Sequence, residues 1–222
     1  MTDIRTLGVI GAGQMGIGIA QVSAQAGYDV ILSDIDLPRA EKGKANIAKL
    51  LARAVDKEKM TQSEADAVLA RITPVGELAP LADAQFVIEA ATEREEVKRA
   101  IFGNVGKLLG KDAILATNTS SIPITRLAQA APDAERFIGV HFFNPVPVMV
   151  LVEIIRGLAT TPEVVEAVEA YATRIGKTAV HAFDAPGFVV NRILLPMLNE
   201  AVFVLGEGVG SVTDIDQGCK LG

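Results

Sequence analysis

The chain has 222 residues, half of them hydrophobic, which is enough for one domain with a substantial core or for one domain and part of another. Its 21 basic and 27 acidic side chains include no basic tract, so we expect no nucleic-acid partner. Cys219 is the single cysteine, which excludes an internal disulfide and fits a reducing compartment. The uncharged stretch 6–28 could span a bilayer by length, but its glycines and glutamines indicate strand, turn and helix. With no signal-peptide pattern, we expect a cytoplasmic protein without a membrane segment.

A glycine-rich turn follows the first apolar run of the chain. Gly11, Gly13 and Gly16 form a Gly-x-Gly-x-x-Gly pattern between a predicted strand and a predicted helix. In such a turn the first glycine permits a tight bend, the second lets a pyrophosphate approach the backbone, and the third lets the helix pack on the strand. The pattern predicts a dinucleotide site, with a turn of purely structural value as the alternative.

Two further features support a dinucleotide. The N-terminus of the helix offers free N–H groups near Gln14 and Met15 to phosphates. Asp34 follows a second apolar run, where its carboxylate can accept hydrogen bonds from both ribose hydroxyls of NAD. We therefore predict NAD as the cofactor.

Short apolar runs alternate with helical patterns along most of the chain, which predicts a doubly wound, mostly parallel Rossmann-type sheet. The predicted strands lie at 6–10, 29–33, 86–90, 113–117, 137–143, 151–155 and 178–182. The predicted helices lie at 14–26, 38–56, 95–109 and 162–175.

The crossover after the second strand is unusually long. Residues 37–71 have the pattern of two helices, the second beginning with a capping box formed by Thr61 and Glu64. Because a plain Rossmann crossover is shorter, we interpret this segment as an added helical-hairpin arm.

The composition changes after residues 184–187. From Phe188 to Leu205 the chain is almost wholly apolar and lacks a strand period, which predicts a long helix with a point of kinking at Pro196. We therefore divide the chain into an NAD-binding Rossmann domain, 1–183, and an incomplete helical domain, 184–222.

Two residues in neighbouring apolar strands suggest acid–base chemistry. A solitary histidine in such a strand, as His141 is, more often belongs to the core. Glu153, however, is a carboxylate in an apolar run and needs a partner. A pair between the two would fix the imidazole tautomer and stabilise the imidazolium. The alternative is that Glu153 contacts Arg156 or solvent. No acid faces His181 in the sequence, so we expect it to be structural.

Several segments together resemble the 3-hydroxyacyl-CoA dehydrogenase family, and within it most the short-chain 3-hydroxybutyryl-CoA dehydrogenases. The resemblance extends over essentially the whole chain. Its segments are the glycine pattern at 9–16, Ala-Thr-Glu-Arg-Glu-Glu-Val-Lys at 91–98, Thr-Asn-Thr-Ser-Ser at 117–121, His-Phe-Phe-Asn-Pro-Val-Pro at 141–147, and Asp-Ala-Pro-Gly-Phe-Val-Val-Asn-Arg at 184–192.

The resemblance implies a reaction and a set of site residues. The reaction is the NAD-dependent interconversion of (S)-3-hydroxyacyl-CoA and 3-ketoacyl-CoA, with no metal. His141 is then the catalytic base paired with Glu153, and Ser120 and Asn191 hold the substrate oxygen. The side chains that the resemblance assigns to NAD are Asp34, Glu93, Lys98 and Asn144, with Asn118 close by.

The resemblance also suggests that CoA lies near the arm. Lys49, Arg53 and Lys57 recur every four residues, on one helical face, and could bind the phosphates of CoA. The simpler interpretation is a solvated face. The family continues beyond the last residue of this chain into further helices that form a homodimer, so the resemblance implies a shortened second domain and a homodimer.

Two other functions stay open at this point. A related hydroxyacid or sugar dehydrogenase would share the glycine pattern without needing the pair of His141 and Glu153. A non-catalytic NAD-binding protein, like the lens crystallin that resembles this family, would keep the fold without turnover.

Overall fold

The computed structural model describes residues 4–222, and over that range the chain forms one eight-stranded sheet with helices on both faces. The strands are β1 (Thr6–Ile10), β2 (Asp29–Ser33), β3 (Ile72–Val75), β4 (Phe86–Glu89), β5 (Ile114–Thr117), β6 (Phe137–Phe142), β7 (Leu151–Arg156) and β8 (Thr178–Phe183). The helices are α1 (Gln14–Gln25), α2 (Leu37–Asp56), α3 (Gln62–Ala70), α4 (Glu95–Val105), α5 (Ile124–Ala128), α6 (Pro162–Arg174), α7 (Val190–Gly206) and α8 (Val212–Leu221).

The order of the strands is β3-β2-β1-β4-β5-β6-β7-β8, and every neighbouring pair is parallel except β6 with β7. The predicted doubly wound, mostly parallel sheet is therefore confirmed. The strand order reverses at β1, which lies between β2 and β4. Ligands of such sheets bind in the crevice beyond the carboxyl ends of the strands at this reversal.

The edge strand β3 was not predicted. It has only four residues, and Pro74 interrupts its apolar pattern. Proline is tolerated on an edge strand because one side of that strand needs no ladder hydrogen bonds. The two arm helices follow the predicted crossover closely, and the capping box of Thr61 and Glu64 is present.

The core lies in two layers, one on each face of the sheet. In β4, Phe86 and Ile88 belong to the layer under α1 and α6, while Val87 belongs to the layer under α4 and α5. Helices cover both faces of these central strands, so successive side chains are buried on one face and then the other. Their sequences are therefore continuous apolar runs instead of alternating patterns.

The predicted long helix corresponds to α7, which remains helical through Pro196. Phe188, expected on this helix, instead precedes it and is buried at 4% exposure against the sheet domain. Helix α8, which begins with a capping box of Ser211 and Asp214, was not predicted. Large apolar side chains of α7 are exposed to solvent, namely Ile193, Leu195, Met197, Leu198, Val202, Phe203 and Leu205.

Within residues 4–222, no helix combines the length and the apolar character needed to cross a membrane.

Candidate active site

A cleft of about 480 Å³ opens at the carboxyl ends of the strands, between the glycine turn and the start of α7. Many of the predicted site residues meet in it. The residues that line it are Gly13, Gln14, Met15, Ala90, Ala91, Thr92, Glu93, Asn118, Ser120, His141, Phe142, Phe143, Asn144 and Asn191.

The glycine turn has the geometry that the sequence pattern requires. Gly11 has φ +102°, which disfavours a side chain. A Cβ on Gly16 would lie 1.7 Å from the carbonyl oxygen of Gly11, so only glycine lets α1 approach β1 this closely. A Cβ on Gly13 would meet nothing within 4 Å, because this backbone faces the open cleft. The turn therefore leaves room for a pyrophosphate against bare backbone, beside N–H groups of the first turn of α1 that have no partner within the helix.

Asp34 lies beside the glycine turn at the end of β2. Its Oδ2 accepts a hydrogen bond from the Ala12 N–H at 2.7 Å, and its Oδ1 accepts one from the Ile35 N–H at 2.8 Å. The carboxylate is thus fixed next to the phosphate-binding turn, while its residue stays half-buried. This arrangement fits a ribose whose hydroxyls donate to a carboxylate.

His141 and Glu153 face each other across the antiparallel pair of β6 and β7. The His141 Nδ1 lies 2.7 Å from the Glu153 Oε2, and Glu153 is fully buried. Residues directly opposite each other in an antiparallel pair extend to the same face, so the strand register creates this contact. Glu153 does not contact Arg156 in an ion pair, so the alternative interpretation of its partner was wrong.

The second oxygen of the Glu153 carboxylate binds the beginning of α7. Oε1 accepts hydrogen bonds from the N–H groups of Val189 and Val190, both at 2.9 Å. A carboxylate has no hydrogen to donate, so the contact at Oε2 is a hydrogen bond donated by the His141 Nδ1–H. That leaves Nε2 of the neutral imidazole without a proton. The same bonds bring Asn191 to the cleft.

Glu93 accepts several hydrogen bonds from the loop after β5. Its Oε1 accepts hydrogen bonds from the Thr119 hydroxyl at 2.7 Å, the Ser120 N–H at 2.8 Å and the Ser120 hydroxyl at 3.0 Å. Partial burial acts to raise the pKa of Glu93, but these hydrogen bonds and the Lys98 charge outweigh it, so the pKa lies below its usual value. Glu93 is therefore an anionic anchor that sets the position of Ser120.

Lys98 is fully buried behind the cleft and does not line it. Its ammonium donates to the Glu89 Oε2 at 2.6 Å and to the Thr117 hydroxyl at 3.2 Å, and it lies 3.7 Å from the Glu93 carboxylate. In this structure its nearest partner is thus Glu89, which sequence reasoning missed because that residue lies inside a predicted apolar strand. An acid at a strand end, nine residues before a lysine, was the available signal.

The remaining predicted residues are placed as follows. The Asn118 Oδ1 accepts from the Phe142 N–H at 2.9 Å, so Asn118 joins the ends of β5 and β6. Asn144 is exposed at the rim of the cleft. His181 does have an acidic neighbour, contrary to expectation: its Nε2 lies 3.5 Å from Glu169 at a half-exposed position on the edge strand β8.

The three arm cations do not line the cleft. Lys49 and Arg53 are exposed on α2, and Lys57 follows the last residue of that helix. In residues 4–222, no group of three or more acidic, histidine or cysteine side chains is arranged to hold a metal ion.

The buried pair of Lys98 and Glu89 generates a prediction about stability. Replacing Lys98→Met removes the cation and leaves the Glu89 carboxylate buried without a counter-charge. Breaking one side of a buried ion pair costs about 3–5 kcal/mol, so the free energy of unfolding measured by urea denaturation should fall by that amount. The matched control is Lys111→Met, at an exposed lysine, which should change stability by less than about 0.5 kcal/mol. A loss for Lys98→Met as small as that of the control would contradict the importance of the pair.

Comparison with known proteins agrees with this geometry. Residues 6–185 match the family model of the 3-hydroxyacyl-CoA dehydrogenase NAD-binding domain, and residues 187–222 match the model of the C-terminal domain of the same family. A 3-hydroxybutyryl-CoA dehydrogenase of Bradyrhizobium diazoefficiens is 52% identical over 219 residues, which are 99% of this chain and 75% of that protein. A probable 3-hydroxybutyryl-CoA dehydrogenase of Bacillus subtilis is 46% identical, over 99% of this chain and 77% of that protein.

A solved structure shows the same fold. The crystal structure of (S)-3-hydroxybutyryl-CoA dehydrogenase from Ralstonia eutropha superimposes with a TM-score of 0.96 at 49% identity, covering 99% of this chain and 77% of that chain. The chain thus spans about three quarters of the length of these relatives. Both domain models, the identities and the superposition agree, and the chain belongs to the 3-hydroxyacyl-CoA dehydrogenase family.

Proposed function

We propose that the chain catalyses the NAD-dependent oxidation of (S)-3-hydroxyacyl-CoA to 3-ketoacyl-CoA and the reverse reaction, with 3-hydroxybutyryl-CoA as the substrate. The observation that carries this proposal is the buried pair of His141 and Glu153 in the same cleft as the glycine turn. The names of the relatives support the acyl-CoA substrate, and the matched NAD-binding domain supports the cofactor.

NAD would lie along the cleft and the adjoining glycine turn and, when bound, would supply the hydride acceptor. Asp34 would accept the ribose hydroxyls near the adenine. The backbone of Gly11, Gly13 and Gly16, with the N–H groups of Gln14 and Met15, would hold the pyrophosphate. At the other end, the residues beside the nicotinamide half would be Glu93, Asn118 and Asn144, with Lys98 behind Glu93.

His141 would move the proton of the reaction. The unprotonated Nε2 would take the proton of the C3 hydroxyl during oxidation, and the Glu153 carboxylate would stabilise the imidazolium that forms. In reduction the imidazolium would return this proton to the carbonyl oxygen. Since Glu153 is fully buried, its charge acts on the imidazole with little screening by solvent.

Ser120 and Asn191 would orient the reacting oxygen. In this structure the Ser120 hydroxyl donates to Glu93; turned toward the substrate it would donate to the C3 oxygen, whose own proton goes to His141. The Asn191 amide would donate to the same oxygen. Both residues line the cleft with His141, which supports a three-point contact around C3.

The arm would contribute to CoA binding. In the described part of the chain, the cationic groups of Lys49, Arg53 and Lys57 have neither an ion pair nor a hydrogen bond to a side chain, so they are available to phosphates. We further propose that the Rossmann domain is 1–183 and the helical domain 184–222, that the protein works in the cytoplasm, and that it is a homodimer through its C-terminal helices.

The first experiment is a direct assay of NADH oxidation with acetoacetyl-CoA. Turnover supports the proposed reaction. Turnover only with a free hydroxyacid or sugar would indicate a related dehydrogenase, and NADH binding without any turnover would indicate a non-catalytic protein.

Cofactor choice follows from Asp34. Its carboxylate would repel the 2′-phosphate of NADPH, and the next arginine, Arg39, lies 3.6 Å from Asp36, which partly neutralises its charge. We therefore expect a strong preference for NADH over NADPH in kcat/KM, and Asp34→Ala should reduce that preference. Comparable efficiency of the unchanged protein with NADPH would contradict this assignment.

The acid–base pair is tested by replacing each member. Positioned acid–base catalysis contributes about 10²–10⁴-fold in rate, so His141→Asn should lower kcat by about that factor with NADH affinity little changed. Glu153→Gln should also slow the reaction and should lower the apparent pKa of the pH–rate profile, because a neutral partner no longer stabilises the imidazolium. His181→Asn, at the other histidine, is the matched control and should leave kcat unchanged. Near-normal turnover of His141→Asn would remove this histidine from the mechanism.

The exposed face of α7 predicts self-association. Leu195, Val202 and Phe203 are 55–67% exposed, so covering each would gain part of the roughly 1.5–3 kcal/mol that full burial of such a side chain contributes, which favours association with a second copy. Light scattering should show a dimer, and Val202→Glu should shift the mass toward that of a monomer. Lys111→Glu, at an exposed position outside α7, serves as the control. A monomeric protein before any substitution would contradict the proposal.

A further inference from the structure

Lys177 is a buried cation in the turn between α6 and β8, outside the cleft. Its residue is 9% exposed, and its ammonium donates to the carbonyl oxygens of Val146 at 2.5 Å and Met149 at 2.7 Å. Within the described range 4–222 no carboxylate pairs with it, and burial lowers its pKa. A buried charge without a counter-ion is costly, so the two carbonyl groups must compensate for the water that the ammonium has lost.

The two carbonyl groups belong to the loop 143–150. This loop joins β6, which carries His141, to β7, which carries Glu153. It places Asn144 at the cleft, and it is held a third time where the Thr178 N–H donates to the Val150 carbonyl at 2.8 Å. The loop contains almost no regular structure of its own, so these bonds contribute to fixing its position.

The loop also packs on the helix that follows the glycine turn. Val146 is buried at 2% exposure, and a Cβ on Gly18 of α1 would lie only 2.7 Å from the Val146 Cβ. The Lys177 ammonium binds the carbonyl group of this same Val146. The lysine therefore helps to hold the loop against α1.

We propose that Lys177 is a positioning residue for the nicotinamide half of NAD, acting through the loop 143–150. This inference rests on the proposed function, because it assumes that C3 of the substrate reacts beside His141. Because hydride and proton leave neighbouring atoms, the nicotinamide must then lie at the His141 end of the cleft, against Phe143 and Asn144. The adenine half lies at the opposite end, beside Asp34, where Lys177 makes no contact.

Because Lys177 acts at one end of NAD only, its replacement should affect the binding of NADH and of ADP-ribose differently. A lysine that only stabilises the fold would affect both ligands alike. ADP-ribose carries every part of NAD except the nicotinamide ring. A change in the loop alone should weaken the binding of NADH without weakening that of ADP-ribose. A general loss of folding would weaken both ligands by the same factor.

The main variant is Lys177→Met, which keeps the length of the aliphatic chain and removes the three N–H donors. We expect the Kd of NADH, measured by its fluorescence, to rise about tenfold, which corresponds to ~1.4 kcal/mol. We expect the Kd of ADP-ribose, measured by calorimetry, to stay within about twofold. The exposed Lys111→Met is the matched control and should change neither Kd.

Equal weakening of both ligands, or no weakening of either, would overturn the proposal. If Lys177→Met does not fold, Lys177→Gln, which keeps a neutral N–H donor, is measured with the same two ligands and judged by the same criterion. The measurement uses no acyl-CoA, so a protein that binds NADH without reducing acetoacetyl-CoA would contradict the proposed reaction and leave the binding test intact.

Discussion

The site depends on one buried carboxylate. Glu153 has no contact with solvent, and its two oxygens receive one imidazole nitrogen and two backbone N–H groups. A charge in the interior is tolerated only when such partners are fixed, because an unpaired one costs several kcal/mol. The three partners come from β6 and from the start of α7, while Glu153 itself lies on β7. The position of the His141 ring and the position of α7 are therefore set by the same group.

The charge of Lys98 is also buried and paired with fixed partners. Lys98 is buried between two carboxylates, of which Glu89 is fully enclosed and Glu93 reaches the cleft. Glu93 in turn holds Ser120 through both the backbone and the hydroxyl group. Lys98 thus offsets the charge of Glu89 behind the cleft, while Glu93 brings a negative charge to the cleft among neutral donors and acceptors such as Ser120 and Asn118. Such a site is organised before any ligand arrives, which is the condition for effective electrostatic stabilisation.

Sequence reasoning predicted the features that follow from local periodicity. The alternation of strands and helices, the glycine turn and the opposed pair of His141 and Glu153 all depend on short patterns or on the register of one hairpin-like pair. It missed features that depend on long-range burial. Apart from the acid nine residues before Lys98, the local sequence does not show that Lys98 and Lys177 are enclosed, since other lysines of the chain are exposed. Strand β3 was missed because an edge strand needs neither length nor a continuous apolar run.

Helix α7 links the acid–base pair to an exposed apolar face. At its beginning, the N–H groups of Val189 and Val190 bind Glu153, and Phe188 packs 5.8 Å from the His141 ring. Farther along, the same helix exposes a broad apolar face to solvent. The beginning of α7 is attached to Glu153, a member of the acid–base pair, and a surface that covers the apolar face would give the helix a second attachment. Covering the apolar face would therefore do more than remove hydrocarbon from water: it would fix the direction of α7 and hold Asn191 at the cleft beside the imidazole.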